Sequence, residues 1–171
     1  MKLRQQIIAL LCISSAGVLL SCKKDGDNST LQVQLTDAPA AYEEVNIDLR
    51  QVSVKFSKDT AKWVELEPKP GIYNLLGLQN GIDTLIGSIT VPSQIVKEVR
   101  LVLGANNSIK VNGQVYSLVI PSGDESGLKI KVDKKLEANL ETLIIDFDAA
   151  LSIKEDGPGD YKLKPVLKIK S

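Results

Sequence analysis

Apolar and polar residues alternate along most of the chain after residue 30. In the first such segment the apolar positions are Leu31, Val33 and Leu35, and the same period of two recurs in residues 45–50. Successive side chains of a β-strand point to opposite faces of a sheet, so this period is typical of strands with one buried face. Between residues 49 and 52 the apolar spacing changes to three, which predicts a β-bulge.

Further segments of strand length follow, separated by turn residues. They are residues 52–56, 63–66, 84–91, 98–103, 108–111, 114–120, 128–132, 142–149 and 162–169. Asn112-Gly113 is the strongest hairpin signal, and Ser57–Thr60 and Gly157-Pro158-Gly159 predict two more turns. Helix signals are limited to one turn at residues 75–79 and an ambiguous segment at 134–140. This pattern predicts an all-β fold, an antiparallel sandwich or barrel.

The first 22 residues have a different pattern. Two basic residues, Lys2 and Arg4, precede an apolar segment that ends in Leu19-Leu20-Ser21-Cys22. The segment is short for a transmembrane helix, which needs about 20 apolar residues. Basic residues, an apolar core and small residues at the end are typical of a signal peptide, and the final cysteine resembles a bacterial lipoprotein cleavage site. We therefore predict a signal peptide at residues 1–21 and lipidation of Cys22; the alternatives are a short membrane anchor and a free cysteine.

The residues after Cys22 predict a tether and one domain. Residues 23–30 contain no apolar side chain, so we expect residues 22–30 to form a flexible tether. Residues 31–171 have the length of a single domain with its own core. The charged start of the tether resembles the tag of outer-surface lipoproteins in some Gram-negative bacteria. The predicted location is the cell envelope, on the surface or the periplasmic face of the outer membrane.

Composition excludes several classes of function. The chain has 21 basic residues, 21 acidic residues, two cysteines and no histidine. Removal of residues 1–21 would leave 19 basic against 21 acidic residues, without the basic excess that nucleic-acid binding needs. The domain has no disulfide, no thiolate metal site and no Ser-His-Asp site, because it lacks cysteine and histidine. We predict no cofactor, no metal and no nucleic-acid partner.

Asp146 and Asp148 form the most compact carboxylate pair. Strand alternation places both carboxylates on one face and Phe147 on the other, toward the core. Two like charges at this spacing need a cation between them. We favour a basic residue of a neighbouring strand, such as Arg100; the alternative is a calcium ion. A hydrolase is the less favoured interpretation, because glycosidase carboxyls flank a bond across about 5–9 Å and neither this pair nor Asp124-Glu125 predicts a cleft.

Aromatic side chains offer the best candidate glycan site. Trp63 lies among charged residues on a predicted edge hairpin, and Tyr73 or Tyr116 is its expected partner on a sugar-stacking face. The alternative for Trp63 is a place in the core. Asp59-Thr60-Ala61 resembles an O-glycosylation acceptor of exported bacterial proteins, which makes Thr60 a candidate modification site.

An ordered series of short motifs resembles the domain of unknown function 4382 family of prokaryotic lipoproteins. The series includes Leu35-Thr36-Asp37-Ala38-Pro39, Trp63-Val64-Glu65-Leu66, Asn74-Leu75-Leu76-Gly77-Leu78, Val99-Arg100-Leu101-Val102-Leu103, Asp146-Phe147-Asp148-Ala149 and Tyr161-Lys162-Leu163-Lys164-Pro165. The resemblance implies a β-sandwich of the transthyretin-like or carbohydrate-binding-like kind and no enzymatic activity. Within the first motif, we expect Asp37 to cap the turn at Ala38-Pro39; the alternative is contact with a metal or a sugar hydroxyl.

These observations predict a lipid-anchored, noncatalytic β-sandwich of the cell envelope. Its expected partners are the membrane, through the lipid, and a glycan or an envelope protein. The main alternative is an adhesin or pilus-like structural subunit, which an exposed edge strand and a displaced terminal strand would favour.

Overall fold

A computed structural model describes residues 28–121, 127–137 and 139–170. The predicted signal peptide, Cys22 and the pair Asp124-Glu125 lie outside these ranges. Within them, no helix is both long enough and apolar enough to cross a membrane.

The described residues form fourteen strands and two short helical turns. The strands are β1 (Asn28–Thr36), β2 (Glu44–Phe56), β3 (Asp59–Glu65), β4 (Glu67–Pro68), β5 (Gly71–Asn74), β6 (Thr84–Pro92), β7 (Ile95–Leu103), β8 (Ser108–Val111), β9 (Gln114–Val119), β10 (Leu128–Lys135), β11 (Leu140–Phe147), β12 (Ile153–Gly157), β13 (Asp160–Leu163) and β14 (Leu167–Lys170). The helical turns are a 3₁₀ turn (Leu75–Leu78) and α1 (Ala149–Ser152).

The strands form two sheets around one hydrophobic core. The order of the first sheet is β14-β11-β1-β6-β4, and that of the second is β10-β7-β2-β8-β9-β13-β12, with β3 and β5 also paired to β2. The largest fully buried side chains come from both sheets and include Leu31, Ile47, Leu101 and Phe147. The predicted all-β sandwich is confirmed, and Phe147 points into the core as expected.

The sheets are mixed, which differs from the expected antiparallel pairing at two places. Strand β1 runs parallel to β11, and β13 runs parallel to β9; the other strand pairs among the described residues are antiparallel. The period of apolar residues is the same in both arrangements, so it carries no information on strand direction.

Several predicted boundaries also differ in the structure. The segment 162–169 divides into β13 and β14, which belong to different sheets, because Pro165 lacks the N–H that a continuous strand would need. Strand β11 ends at Phe147, and α1 follows. Strand β1 begins at Asn28, so three residues of the predicted tether lie in a strand.

Three features predicted from short stretches of sequence, a hairpin, a bulge and a helical turn, are present in the structure. Asn112 and Gly113 have φ values of 50° and 77° and join β8 to β9 in a hairpin. The register between β2 and β7 shifts between Leu49 and Gln51, at the predicted bulge. The predicted helical turn is present at Leu75–Leu78.

Strand β2, with 13 residues, is the longest described strand, and it changes partners along its length. On one side it pairs first with β8 and then with β7, and residues 104–107 connect those two strands. The second sheet therefore divides there into two arms, one ending at β10 and the other at β12. We call residues 104–107 the fork.

Candidate functional site

Trp63 lies on the outer face of the second sheet. Lys55 of β2 lies beside it, between the buried residues Val54 and Phe56, and therefore points away from the core. The Lys55 Nζ and Arg100 Cζ atoms each lie 4.7 Å from the centroid of the Trp63 ring. Trp63 is half-buried beside these two cations and does not belong to the core cluster. The alternative, a core position for Trp63, is therefore wrong.

The strand register extends this surface across four strands in two rows. Ser53 of β2 pairs with Glu65 and Arg100, and Arg100 pairs with Lys129. In the next row Glu98 pairs with Lys55 and with Lys131. We define the cationic face by its eight residues: Glu65, Ser53, Arg100 and Lys129 in one row, and Trp63, Lys55, Glu98 and Lys131 in the other.

Tyr73 and Tyr116 are not brought to Trp63. Tyr73 pairs with the core residue Ile47, packs against the core and donates a hydrogen bond of 2.5 Å from its hydroxyl to the Lys69 carbonyl. Tyr116 packs against Tyr161, with ring centroids 5.1 Å apart. Both tyrosines thus lie on the core side of the second sheet, opposite Trp63. Burial raises the pKa of the Tyr73 hydroxyl.

Asp37 joins three parts of the fold. Its Oδ1 accepts a hydrogen bond of 2.9 Å from the Ala149 N–H, and its Oδ2 accepts one of 3.2 Å from the Gln79 side-chain amide. The Asp37 N–H donates to the Leu78 carbonyl at 3.0 Å. The expected local turn cap is therefore mainly a long-range cap, which ties the end of β1 to α1 and to the residue after the 3₁₀ turn.

Burial raises the pKa of the Asp37 carboxyl above its ordinary value of 3.8, as does the nearby Asp146 carboxylate. The hydrogen bonds from Ala149 and Gln79 oppose this shift without cancelling it. A folded-state pKa above the unfolded value means that folding favours the protonated form. The contribution of Asp37 to stability is therefore largest below pH 3.8 and is lost as the pH rises through the folded-state pKa.

The variant Asp37→Asn should not show this loss. We expect its free energy of unfolding, relative to wild type, to increase between a pH below 3.8 and neutral pH. Urea denaturation of both proteins at the two pH values measures the difference. A relative stability that falls toward neutral pH would contradict the assignment.

Asp146 and Asp148 have separate roles. Asp148 caps the N-terminus of α1, where its Oδ1 accepts from the Leu151 N–H at 3.0 Å, and its Oδ2 lies 3.1 Å from the Lys168 Nζ. Asp146 pairs with Lys168 in the register of β11 and β14, and its Oδ1 is buried without a hydrogen-bond partner among the described residues.

The cation beside this pair is Lys168 of the neighbouring strand β14, so the expected basic residue is present, but the choice of Arg100 is wrong. Arg100 lies on β7, in the other sheet. The sequence shows that Lys168 alternates with apolar residues, but it does not show which strand β14 pairs with. In the described part of the chain, no group of three or more acidic side chains could hold a metal ion.

Thr60, the candidate modification site, is exposed in β3 just after the turn from β2. A hydroxyl at this position is accessible from solvent.

A cavity of about 450 Å³ opens at the fork, with Leu103, Leu118, Ile120 and Leu128 in its lining. Of its polar lining residues, Asn107 and Ser117, the first holds the fold together: the Asn107 Oδ1 accepts from the Asp48 N–H at 2.8 Å, and its Nδ2 donates to the Gly104 carbonyl at 2.7 Å. Among the residues that the structure describes, the lining is mainly apolar and includes no group for acid–base chemistry.

The comparison with protein families covers most of this structure. The profile of one family, described as a domain of unknown function (DUF4382), matches residues 28–165, from the first residue of β1 to just beyond β13. The chain belongs to the DUF4382 family. A search of the curated proteins and a search of the solved structures returned no match. Membership in DUF4382 confirms the resemblance seen in the motifs, and the family description assigns no chemistry to the cationic face.

Proposed function

We propose that this DUF4382 chain is a lipid-anchored, noncatalytic binding domain of the bacterial cell envelope. The observation that carries the proposal is the N-terminal pattern that ends in Leu19-Leu20-Ser21-Cys22. A lipid on Cys22 would hold the protein at a membrane, since each buried methylene contributes about 0.8 kcal/mol and two or more acyl chains give stable anchoring.

The distance from lipid to fold limits where a ligand can be. Strand β1 begins at Asn28, six residues after Cys22. A fully extended chain spans at most about 3.5 Å per residue, so the start of the sandwich would stay within about 20 Å of the acylated cysteine. A domain held this close to the membrane is suited to partners that are part of the envelope, such as a glycan or another envelope protein.

Two observations favour binding over catalysis. Asp148, one member of the carboxylate pair, already accepts hydrogen bonds from the Leu151 N–H and the Lys168 Nζ, so its carboxylate has a structural role. The cationic face, in contrast, presents the exposed side chains of Lys129 and Lys131. Among the described strands, β1 is paired on both sides and β14 is paired with β11, so no observation favours a subunit assembled through a displaced terminal strand.

The intact mass of the native protein, purified from its own membranes in detergent, tests the proposal. The expected chain lacks residues 1–21 and carries the mass of a diacylglyceryl group on Cys22, with or without a third acyl chain. A mass that includes residues 1–21, or an unmodified Cys22, would refute the anchor. Globomycin, which blocks the lipoprotein signal peptidase, should cause the uncleaved precursor to accumulate.

A further inference from the structure

We propose that the cationic face binds an anionic polysaccharide, a chain whose sugars bear carboxylate, sulfate or phosphate groups. This inference names the ligand class of the binding domain and rests on the proposed function only in placing that ligand at the envelope. Binding itself depends on residues of the second sheet.

The charges of the face are unbalanced. It has four basic residues and two acidic ones, and Arg100, Lys129 and Lys131 form no ion pair with a described residue. Lys55 has an acidic neighbour, Glu98, but their closest charged atoms are 3.7 Å apart. Within the described ranges these three cations have no carboxylate partner, and their donors suit an anionic ligand.

Arg100 is held in place before any ligand binds. Its guanidinium stacks on Trp63, and its stem passes close to Gly127, where an added Cβ would lie only 2.9 Å from the Arg100 Cγ. The Nε atom is buried without a hydrogen-bond partner among the described residues. A guanidinium fixed in this way can form a planar, bidentate contact with a carboxylate, sulfate or phosphate and loses little side-chain entropy when it does so.

Trp63 acts here as a positioning residue. The cation–π contacts with Lys55 and Arg100 are worth about 0.5–1 kcal/mol each at exposed sites, which offsets part of the rotamer entropy of about 2 kcal/mol that each long side chain loses when it is held. The predicted role of Trp63 as a sugar platform thus changes to that of a support for the cations that contact the ligand's charges.

The pattern of the face favours a polysaccharide over a phosphate-dense surface. Glu98 and Glu65 lie among the cations, so they would repel closely spaced phosphates of nucleic acid or of an anionic bilayer, whereas they can accept hydrogen bonds from sugar hydroxyls. None of the exposed large apolar side chains found in the described residues belongs to the face, and its one aromatic residue, Trp63, is half-buried against Lys55 and Arg100, which disfavours insertion into lipid. The four strands, about 4.8 Å apart, offer an open surface on which an extended chain can lie.

The test uses the full acylated chain in detergent micelles, with dextran sulfate as the probe and uncharged dextran as its control. Trp63 is the only tryptophan of the chain, so its fluorescence reports directly on the face. We expect dextran sulfate to bind, to change this fluorescence and to bind more weakly as salt is raised. Uncharged dextran should neither bind nor change the fluorescence. Arg100→Gln should weaken binding about tenfold or more, the usual cost of one charge-assisted hydrogen bond.

Matched variants separate the site from general charge effects. Lys154→Gln removes one positive charge from the exposed outer strand β12, at the far end of the sheet, and should leave affinity unchanged. The double variant Lys129→Gln/Lys131→Gln should weaken retention on a dextran sulfate column. Trp63→Ala should do the same, and Trp63→Phe should restore part of the affinity, which a purely structural role in folding would not predict.

Three results would overturn the inference: equal loss of affinity in Arg100→Gln and Lys154→Gln, equal binding to uncharged dextran, or tighter binding to phosphatidylglycerol vesicles or single-stranded DNA than to dextran sulfate. These outcomes leave the lipid anchor intact. A protein that binds dextran sulfate but lacks a lipid on Cys22 would instead refute only the proposed function.

Discussion

Replacement of Gly104 by alanine is expected to lower the free energy of unfolding by about 3–5 kcal/mol, the combined cost of overpacking and of a displaced charged hydrogen bond. Gly104 belongs to the fork, where β2 changes its partner. A Cβ on this residue would lie 2.3 Å from the Asp48 Oδ2 and 2.5 Å from the Arg50 Nε. These atoms cannot remain where they are.

The displaced carboxylate organises the fork. Asp48 is buried, and its Oδ2 accepts hydrogen bonds from the Arg50 Nη2 at 2.7 Å and from the Asn106 N–H at 3.2 Å. Its backbone carbonyl accepts from the Gly104 N–H at 2.7 Å. Movement of Asp48 therefore leaves a buried carboxylate poorly paired, which is the costly situation for an interior charge.

Urea denaturation followed by Trp63 fluorescence measures the effect. Gly77→Ala is the matched control, because an added Cβ at Gly77 meets no atom within 4 Å. The control should change stability by less than about 1 kcal/mol. If Gly104→Ala were as stable as Gly77→Ala, the described geometry of the fork would be wrong.

Replacement of Asp37 by alanine is the second change with a large expected effect, about 2–4 kcal/mol of lost stability. It would leave the buried Ala149 N–H and the Gln79 amide without their acceptor, and each unsatisfied buried group costs about 1–3 kcal/mol. Together the two groups would cost about 2–6 kcal/mol. The removal of a buried carboxylate offsets part of this cost, which leaves the expected loss of about 2–4 kcal/mol.

The same variant decides between a structural and a ligand-binding role for Asp37. Thermal unfolding of Asp37→Ala should show a lower midpoint, and its affinity for dextran sulfate, measured well below that midpoint, should equal that of wild type. Asp83→Ala, which changes an exposed aspartate, is the control and should leave the midpoint near that of wild type. A stable Asp37→Ala protein would mean that Asp37 is not a structural link.

The elements that sequence predicted well are those set by local chemistry. Alternating residues placed Leu31, Val33 and Leu35 on the core face of β1, and Asn112-Gly113 defined a hairpin because few other dipeptides accept two positive φ values. The bulge near Leu49 followed from a change in apolar spacing. Each of these depends on neighbours along the chain.

The features that sequence missed depend on pairing between distant segments. Alternation is the same in parallel and antiparallel strands, so the parallel pairing of β1 with β11 left no signal. The sequence also did not reveal that Lys168, and not Arg100, lies beside Asp146 and Asp148. The position of a strand can be read from local residues, but its neighbours in the sheet depend on the whole fold. Arg100 was a candidate for the wrong site, and its contact with Trp63 became visible only when β3, β2 and β7 were seen side by side.

The most direct test of the lipid anchor is metabolic labelling with palmitate in cells that express either the wild-type chain or Cys22→Ser. We predict that the wild-type protein is labelled and sediments with membranes, and that Cys22→Ser is unlabelled and leaves the membrane fraction after release from its precursor. Wild-type protein without label, or equal labelling of Cys22→Ser, would contradict the assignment of this chain as an anchored envelope protein.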